Sequence, residues 1–215
     1  MSQKERLVSY TSTNSYLTLN ELTSETQNIW IVFHGLGFLS RYFITYFNGL
    51  PPEKNYIIAP QAPSKYYLNN QYRHVGASWL TKEETVRETQ NVLSYIDAVM
   101  GEERLPSNKN LIVLGFSQGV SIATRWVASR KIKCEQLILY AGGIPNELTP
   151  NSFDFLKKHK TKITALIGNE DEYLDENRIQ KENEKLKMLF GEQAQQIIFD
   201  GKHEVKNELI NNLVL

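Results

Sequence analysis

The sequence predicts an α/β fold, a mostly parallel central sheet of about seven strands flanked by helices. Three observations carry that prediction. Short runs rich in Ile, Val and aromatic residues recur along the whole chain. Most of them are apolar at nearly every position, as strands covered on both faces require. Stretches with helical spacing separate them, and strands alternating with helices build βαβ units.

The elements follow in chain order. Residues 16–20 (YLTLN) alternate, which suits a strand with one exposed face. Residues 29–33 (IWIVF) and 56–59 (YIIA) are the first buried strands. The helical pattern at 83–100 places Val86, Leu93, Ile96, Val99 and Met100 on one face. The polar stretch 101–110 (GEERLPSNKN) is a loop into the strand at 111–114 (LIVL). A helix at 118–129 leads to a strand at 137–140 (LILY), and a further strand lies at 163–167 (ITALI). A helix at 175–190 follows, with the charge-dense 181–187 (KENEKLK) as its solvated face. The strand at 196–199 (QIIF) and a helix at 204–213 close the pattern. There is no repeat, low-complexity tract or linker, so residues 1–215 read as one domain.

Composition narrows the function. Hydrophobic residues make up 41% and charged residues 22% of the 215, ordinary for a globular chain that buries a real core. Lys plus Arg balances Asp plus Glu at 24 each, so no global field favours nucleic acid or an acidic membrane. The single cysteine, Cys134, rules out an internal disulfide and fits a reducing compartment. The first 19 residues are polar, without the apolar core of a signal peptide. No run approaches the roughly 18 apolar residues of a membrane span. These features point to a soluble, cytoplasmic protein.

The chemistry centres on residues 111–119, LIVLGFSQG. A strand runs into a serine framed by glycines, and a helix follows at once. This is the G-x-S-x-G elbow in its required setting. Side chains at Gly115 and Gly119 would collide with neighbouring strand or helix backbone in so tight a turn. The helix that follows directs its first N–H groups toward the place where negative charge would develop. Ser117 is therefore the candidate nucleophile, and its hydroxyl needs an adjacent base.

Four histidines are available, His34, His74, His159 and His203. The expected chain order is serine, acid, histidine, which excludes His34 and His74. His159 lies in the lysine-rich KKHK and reads as surface. His203 follows the last strand, at the strand end where α/β sites gather. His34 is expected to brace its loop. The orienting acid belongs after the strand at 163–167, where Glu170, Asp171 and Glu172 compete. Asp171 is the choice and Glu170 the alternative, since spacing alone does not separate them. The early strand runs into HGLG, a glycine-rich turn able to aim a backbone N–H at a carbonyl oxygen. The two expected oxyanion donors are the N–H groups of Leu36 and Gln118.

FHGLG at 33–37, IIAPQAP at 57–63, the SW of 78–79, GFSQG at 115–119, GNED at 168–171 and GKH at 201–203 stand in one order. Together they resemble the phospholipase/carboxylesterase family of α/β-hydrolases, which includes acyl-protein thioesterases and small bacterial carboxylesterases. The resemblance spans residue 29 to the C-terminus. It implies Ser117, Asp171 and His203 as a triad, and places the acid three residues after Gly168. It implies no metal and no organic cofactor, and puts Trp79 near an acyl pocket. Families of this kind often form dimers, and a homodimer is compatible with the sequence without being required by it. The chain departs from the pattern at Phe38 and Leu39, where an acidic residue is usual, at Leu80 and Thr81 after Trp79, and at Glu172, commonly proline. These positions line the entrance and leave the triad untouched.

Phe38, Leu39 and Trp79 are the expected substrate-binding residues. Tyr42, Phe43, Tyr66, Tyr67 and Leu68 are further candidates for an apolar, aromatic entrance that accepts an acyl chain. Tyr66, Tyr67 and Tyr72, with Asn69, Asn70 and Arg73, equally suit a sugar or an aromatic ester. The expected function is a serine hydrolase that cleaves carboxylic esters or thioesters of small molecules through an acyl-enzyme. One rival is a non-catalytic ligand-binding protein on the same fold. Another is a triad hydrolase of a different acyl bond, such as a lysophospholipid or a lactone.

Overall fold

The computed structural model describes residues 2–173 and 176–213. In chain order the elements are β1 (Tyr16–Leu19), β2 (Asn28–Phe33), the short α1 (Ser40–Phe43), β3 (Asn55–Pro60), β4 (Ser64–Tyr67), β5 (Val75–Ser78) and α2 (Thr85–Glu103). They continue with β6 (Asn110–Phe116), α3 (Gln118–Arg130), β7 (Gln136–Tyr140), α4 (Asp154–His159), β8 (Lys162–Gly168), α5 (Glu176–Phe190), β9 (Ala194–Phe199) and α6 (Asn207–Asn211).

Seven strands form one sheet in the order β1-β3-β2-β6-β7-β8-β9. Only β1 runs antiparallel, against β3; every other neighbouring pair is parallel. The expected sheet is present, and the seven runs read from the sequence are its seven strands.

The continuous apolar runs are explained by two covered faces. In β2, Trp30 and Val32 face a cluster that includes Phe43, Phe47 and Ile210. Ile31 and Phe33 face the opposite cluster, which includes Leu93, Trp126 and Leu189. Successive side chains alternate faces, so a strand needs an apolar residue at every position to fill both. Each such burial contributes about 2 kcal/mol against the cost of ordering the chain.

The edge strand β9 departs from that rule. It covers neither face fully, and Ile198 is 63% exposed. In α2 the buried stripe is Val92, Leu93, Ile96 and Val99, whereas Val86 stands 81% exposed in the first turn. The stripe continues in sequence where the surface it packs against does not. The final helix is short, Asn207–Asn211, because the chain before it forms a loop that carries His203. The helix expected from Asp175 runs from Glu176, and Asp175 lies outside the described residues.

Three elements were not legible in the sequence. The β4–β5 hairpin stands apart from the main sheet; all of β4 is exposed and β5 buries only the small Gly76, Ala77 and Ser78, so no run of large apolar residues marks it. The helices α1 and α4 are too short to show a helical period. No helix among the described residues is long and apolar enough to cross a membrane.

Candidate active site

Ser117 sits between the end of β6 and the start of α3 with φ 53° and ψ −118°. A non-glycine residue with positive φ is strained by about 1–3 kcal/mol and persists only where its surroundings hold it. Here its N–H donates to the Tyr140 carbonyl at 2.8 Å, and its own carbonyl accepts from Val120 N–H at 3.0 Å. The flanking glycines make the turn sterically possible. A Cβ on Gly115 would lie 2.4 Å from the Gly119 oxygen, and one on Gly119 would lie 2.1 Å from the Phe33 oxygen.

His203 lies in the loop between β9 and α6. Its Nε2 is 2.9 Å from Ser117 Oγ, and its Nδ1 is 2.7 Å from Asp171 Oδ2. The Asp171 side chain is fully buried, and its other oxygen accepts the Tyr173 N–H at 2.9 Å. Of the three competing acids, Asp171 alone turns its carboxylate to the His203 imidazole; Glu170 and Glu172 are exposed, and the Glu172 carboxylate meets the His203 backbone N–H instead. Backbone bonds tie the acid's loop to the histidine's loop. Glu170 N–H donates to the Gly201 carbonyl at 2.9 Å, and Gly201 N–H donates to Asn169 Oδ1 at 3.0 Å. The rings of Phe116 and Tyr173 pack on the imidazole at 5.2 and 4.8 Å.

Leu36, Ser117, Gln118 and His203 border one cleft of about 320 Å³, completed by Ala141, Gly142, Gly143, Tyr173 and Arg178. Among the described residues, neither the Leu36 nor the Gln118 backbone N–H has a protein acceptor. The Gln118 side chain locks the helix start: its Oε1 accepts the Trp79 N–H at 2.8 Å, and its Nε2 donates to the Leu80 carbonyl at 2.7 Å. A larger depression, about 430 Å³, runs along α5 and contains none of these groups.

His34 stands where the glycine-rich loop begins and is fully buried. Its Nδ1 lies 2.8 Å from the Gly35 carbonyl, and its Nε2 accepts the Ala62 N–H at 3.1 Å. These partners fix the tautomer with the proton on Nδ1. Burial pulls its pKa down to about 4, against the Gly35 bond that opposes the shift, so the ring is neutral. It braces the loop, as expected. His74 and His159 are both exposed.

The packing places the three expected entrance residues away from the cleft. Trp79 is 1% exposed; its ring packs edge-on against Phe33 and its Nε1 donates to the His34 carbonyl at 2.8 Å. Leu39 is likewise in the core. Phe38 is half-buried against Phe43, Tyr46 and Phe116. None of the three borders the cleft. An aromatic in a loop beside an active site reads the same in sequence whether it points outward or inward. Tyr173, Gly143 and Arg178 do border the cleft and carried no signal in the sequence. They reach it only through the path of the chain after β7 and β8. Arg178 is held there by its Nη1, which donates to the Tyr173 carbonyl at 3.4 Å. Among the described residues no group of three or more His, Cys, Asp and Glu side chains is placed to hold a metal ion.

A family model described as phospholipase/carboxylesterase matches residues 14–214. The chain belongs to that family. Solved structures agree on the fold. The acyl-protein thioesterase 2 of Zea mays superposes with a TM-score of 0.70 at 14% identity, covering 94% of this chain and 96% of that one. A phospholipase/carboxylesterase from Dyadobacter fermentans gives 0.64 at 21% identity, covering 95% and 97%. The Bacillus cereus carboxylesterase gives 0.65 at 13% identity, covering 94% and 92%. No curated protein sequence matches the chain. As a phospholipase/carboxylesterase family member with the α/β-hydrolase fold, the protein is a hydrolase.

Proposed function

We propose that the protein cleaves carboxylic esters or thioesters of small molecules through an acyl-enzyme, with Ser117, His203 and Asp171 as its triad. The observation that carries this reading is the unbroken hydrogen-bonded line from Ser117 Oγ through His203 to Asp171, built on a strained strand-to-helix turn. Ser117 Oγ attacks the acyl carbonyl while His203 Nε2 takes its proton. Asp171 holds the imidazole with Nδ1 protonated and stabilises its charged form. The N–H groups of Leu36 and Gln118 receive the oxyanion, each worth on the order of 3 kcal/mol in the transition state. The tetrahedral intermediate collapses, and the leaving alcohol or thiol departs with the proton from His203. Water then adds to the acyl-enzyme with His203 as base, and the acid is released from Ser117. No residue in this sequence of steps calls for a metal or an organic cofactor. A cytoplasmic setting suits the single cysteine, Cys134, whose buried thiol is pushed up to about 12 and is inert.

The test is hydrolysis of p-nitrophenyl esters from acetate to palmitate, with fluorophosphonate labelling alongside. The wild type is expected to turn over esters and to be labelled at Ser117. Ser117→Ala is expected to be folded, unlabelled and inactive. A wild type that is inert to both would establish the ligand-binding reading instead.

A further inference from the structure

Tyr140 closes β7 and is fully buried, and none of the catalytic steps uses it. Its two ends hold the backbone of two different loops. Its carbonyl accepts the N–H of Ser117 at 2.8 Å. Its phenol oxygen accepts the N–H of Lys206, three residues past His203, at 3.0 Å. Its ring packs edge-on against Phe116 and Phe199, each at 5.6 Å. Phe116 in turn lies against the His203 imidazole at 5.2 Å, and Phe199 ends the strand that leads into the histidine's loop.

That loop is anchored on its near side by the bonds between 169–170 and Gly201. Those bonds fix His203 relative to Asp171. They do not fix it relative to Ser117, which belongs to a different part of the sheet. Tyr140 supplies that second reference. One residue spans from the nucleophile's main chain to the far side of the base's loop, with its rigid ring as the spacer. Burial pushes the phenol up to about 12, so it stays neutral and keeps its hydroxyl across the working pH range.

We propose that Tyr140 is a positioning residue that sets the distance between His203 Nε2 and Ser117 Oγ through its bond to the Lys206 N–H. The inference rests on the triad reading above. A reacting pair displaced by about 1 Å loses up to about a hundredfold in rate, so loss of one anchor is expected to cost about tenfold.

Two variants remove the same bond from opposite ends. Tyr140→Phe keeps the ring and deletes the acceptor. Lys206→Pro keeps Tyr140 and deletes the donor. It also draws φ from −105° toward about −65° and removes the side chain that bonds the Asp200 carbonyl and Glu204. Lys206→Ala, which keeps the N–H, is measured beside it and is expected to leave kcat unchanged. The wild type is first labelled with a fluorophosphonate; failure there overturns the serine reading itself and leaves Tyr140 out of account. With labelling established, Tyr140→Phe and Lys206→Pro are each expected to lower kcat about tenfold with KM within twofold. The discriminating measurement repeats Tyr140→Phe in a His203→Ala background rescued by free imidazole. If Tyr140 acts through His203, the substitution has no further effect there. Wild-type kcat in both single variants would overturn the proposal. So would an equal loss in the rescued background, which would make the role structural. One variant failing to fold leaves the other to decide, and failure of both to fold would also make the bond structural.

Discussion

Gly119, the second residue of α3, lies directly against the carbonyl of Phe33 at the end of β2; a Cβ there would stand 2.1 Å from that oxygen. The contact brings the helix start that carries Gln118 up to the strand that leads into Leu36. Both proposed oxyanion donors are thus registered by one close approach of backbone to backbone, and only a residue without a side chain permits it.

Gly119→Ala forces that contact apart. Overpacking against main chain costs about 3 kcal/mol, so the midpoint of urea unfolding is expected to fall with m unchanged. Ester turnover should fall further than the loss of folded protein explains, because the two donors separate. An unfolding midpoint equal to that of the wild type would show the approach to be looser than described.

Asp171 and Glu170 compete in sequence and are separated by geometry. Asp171→Asn keeps the shape but favours the wrong imidazole tautomer, and kcat is expected to drop by about 10³–10⁴. Glu170→Gln alters an exposed side chain and should leave kcat within twofold. Steady-state kinetics on p-nitrophenyl acetate decides, and the reverse ranking would move the acid to Glu170.

His34 makes stability depend on pH. Its folded pKa, near 4, lies below the unfolded value of about 6.5. Between those values the unfolded chain binds the extra proton, so stability is held above pH 6.5 and lost as pH falls toward 4. The full loss is about 3 kcal/mol. Urea unfolding at pH 7 and pH 4.5, wild type beside His34→Gln, should show a smaller acid loss in the variant. Equal losses would remove His34 as the source.

Chain-length preference distinguishes the cleft from the core. Leu36 borders the cleft and is 54% exposed, so Leu36→Ala should shift the optimum along the acetate-to-palmitate series. Trp79→Phe deletes the bond to the His34 carbonyl and costs about 1 kcal/mol of stability with the optimum unmoved. An altered optimum in Trp79→Phe would restore Trp79 to the substrate pocket.

The sequence by itself determined what depends on local period and local sterics. Unbroken apolar runs such as 29–33 and 111–114 imply strands covered on both faces, and the seven runs are the seven sheet strands. Glycines two positions either side of Ser117 imply a turn too tight for side chains. The chain order of serine, acids and histidine follows from reading along the chain. What only the tertiary structure decided depends on direction through space. It turned the carboxylate of Asp171, and not its neighbours', to the His203 imidazole. It pointed Trp79 and Leu39 inward and brought Tyr173 and Arg178 to the cleft. It spanned the space between two loops with Tyr140. Loop side chains have no period to betray their facing, and contacts across 86 positions, as between Ser117 and His203, exist only once the sheet has set its strands side by side.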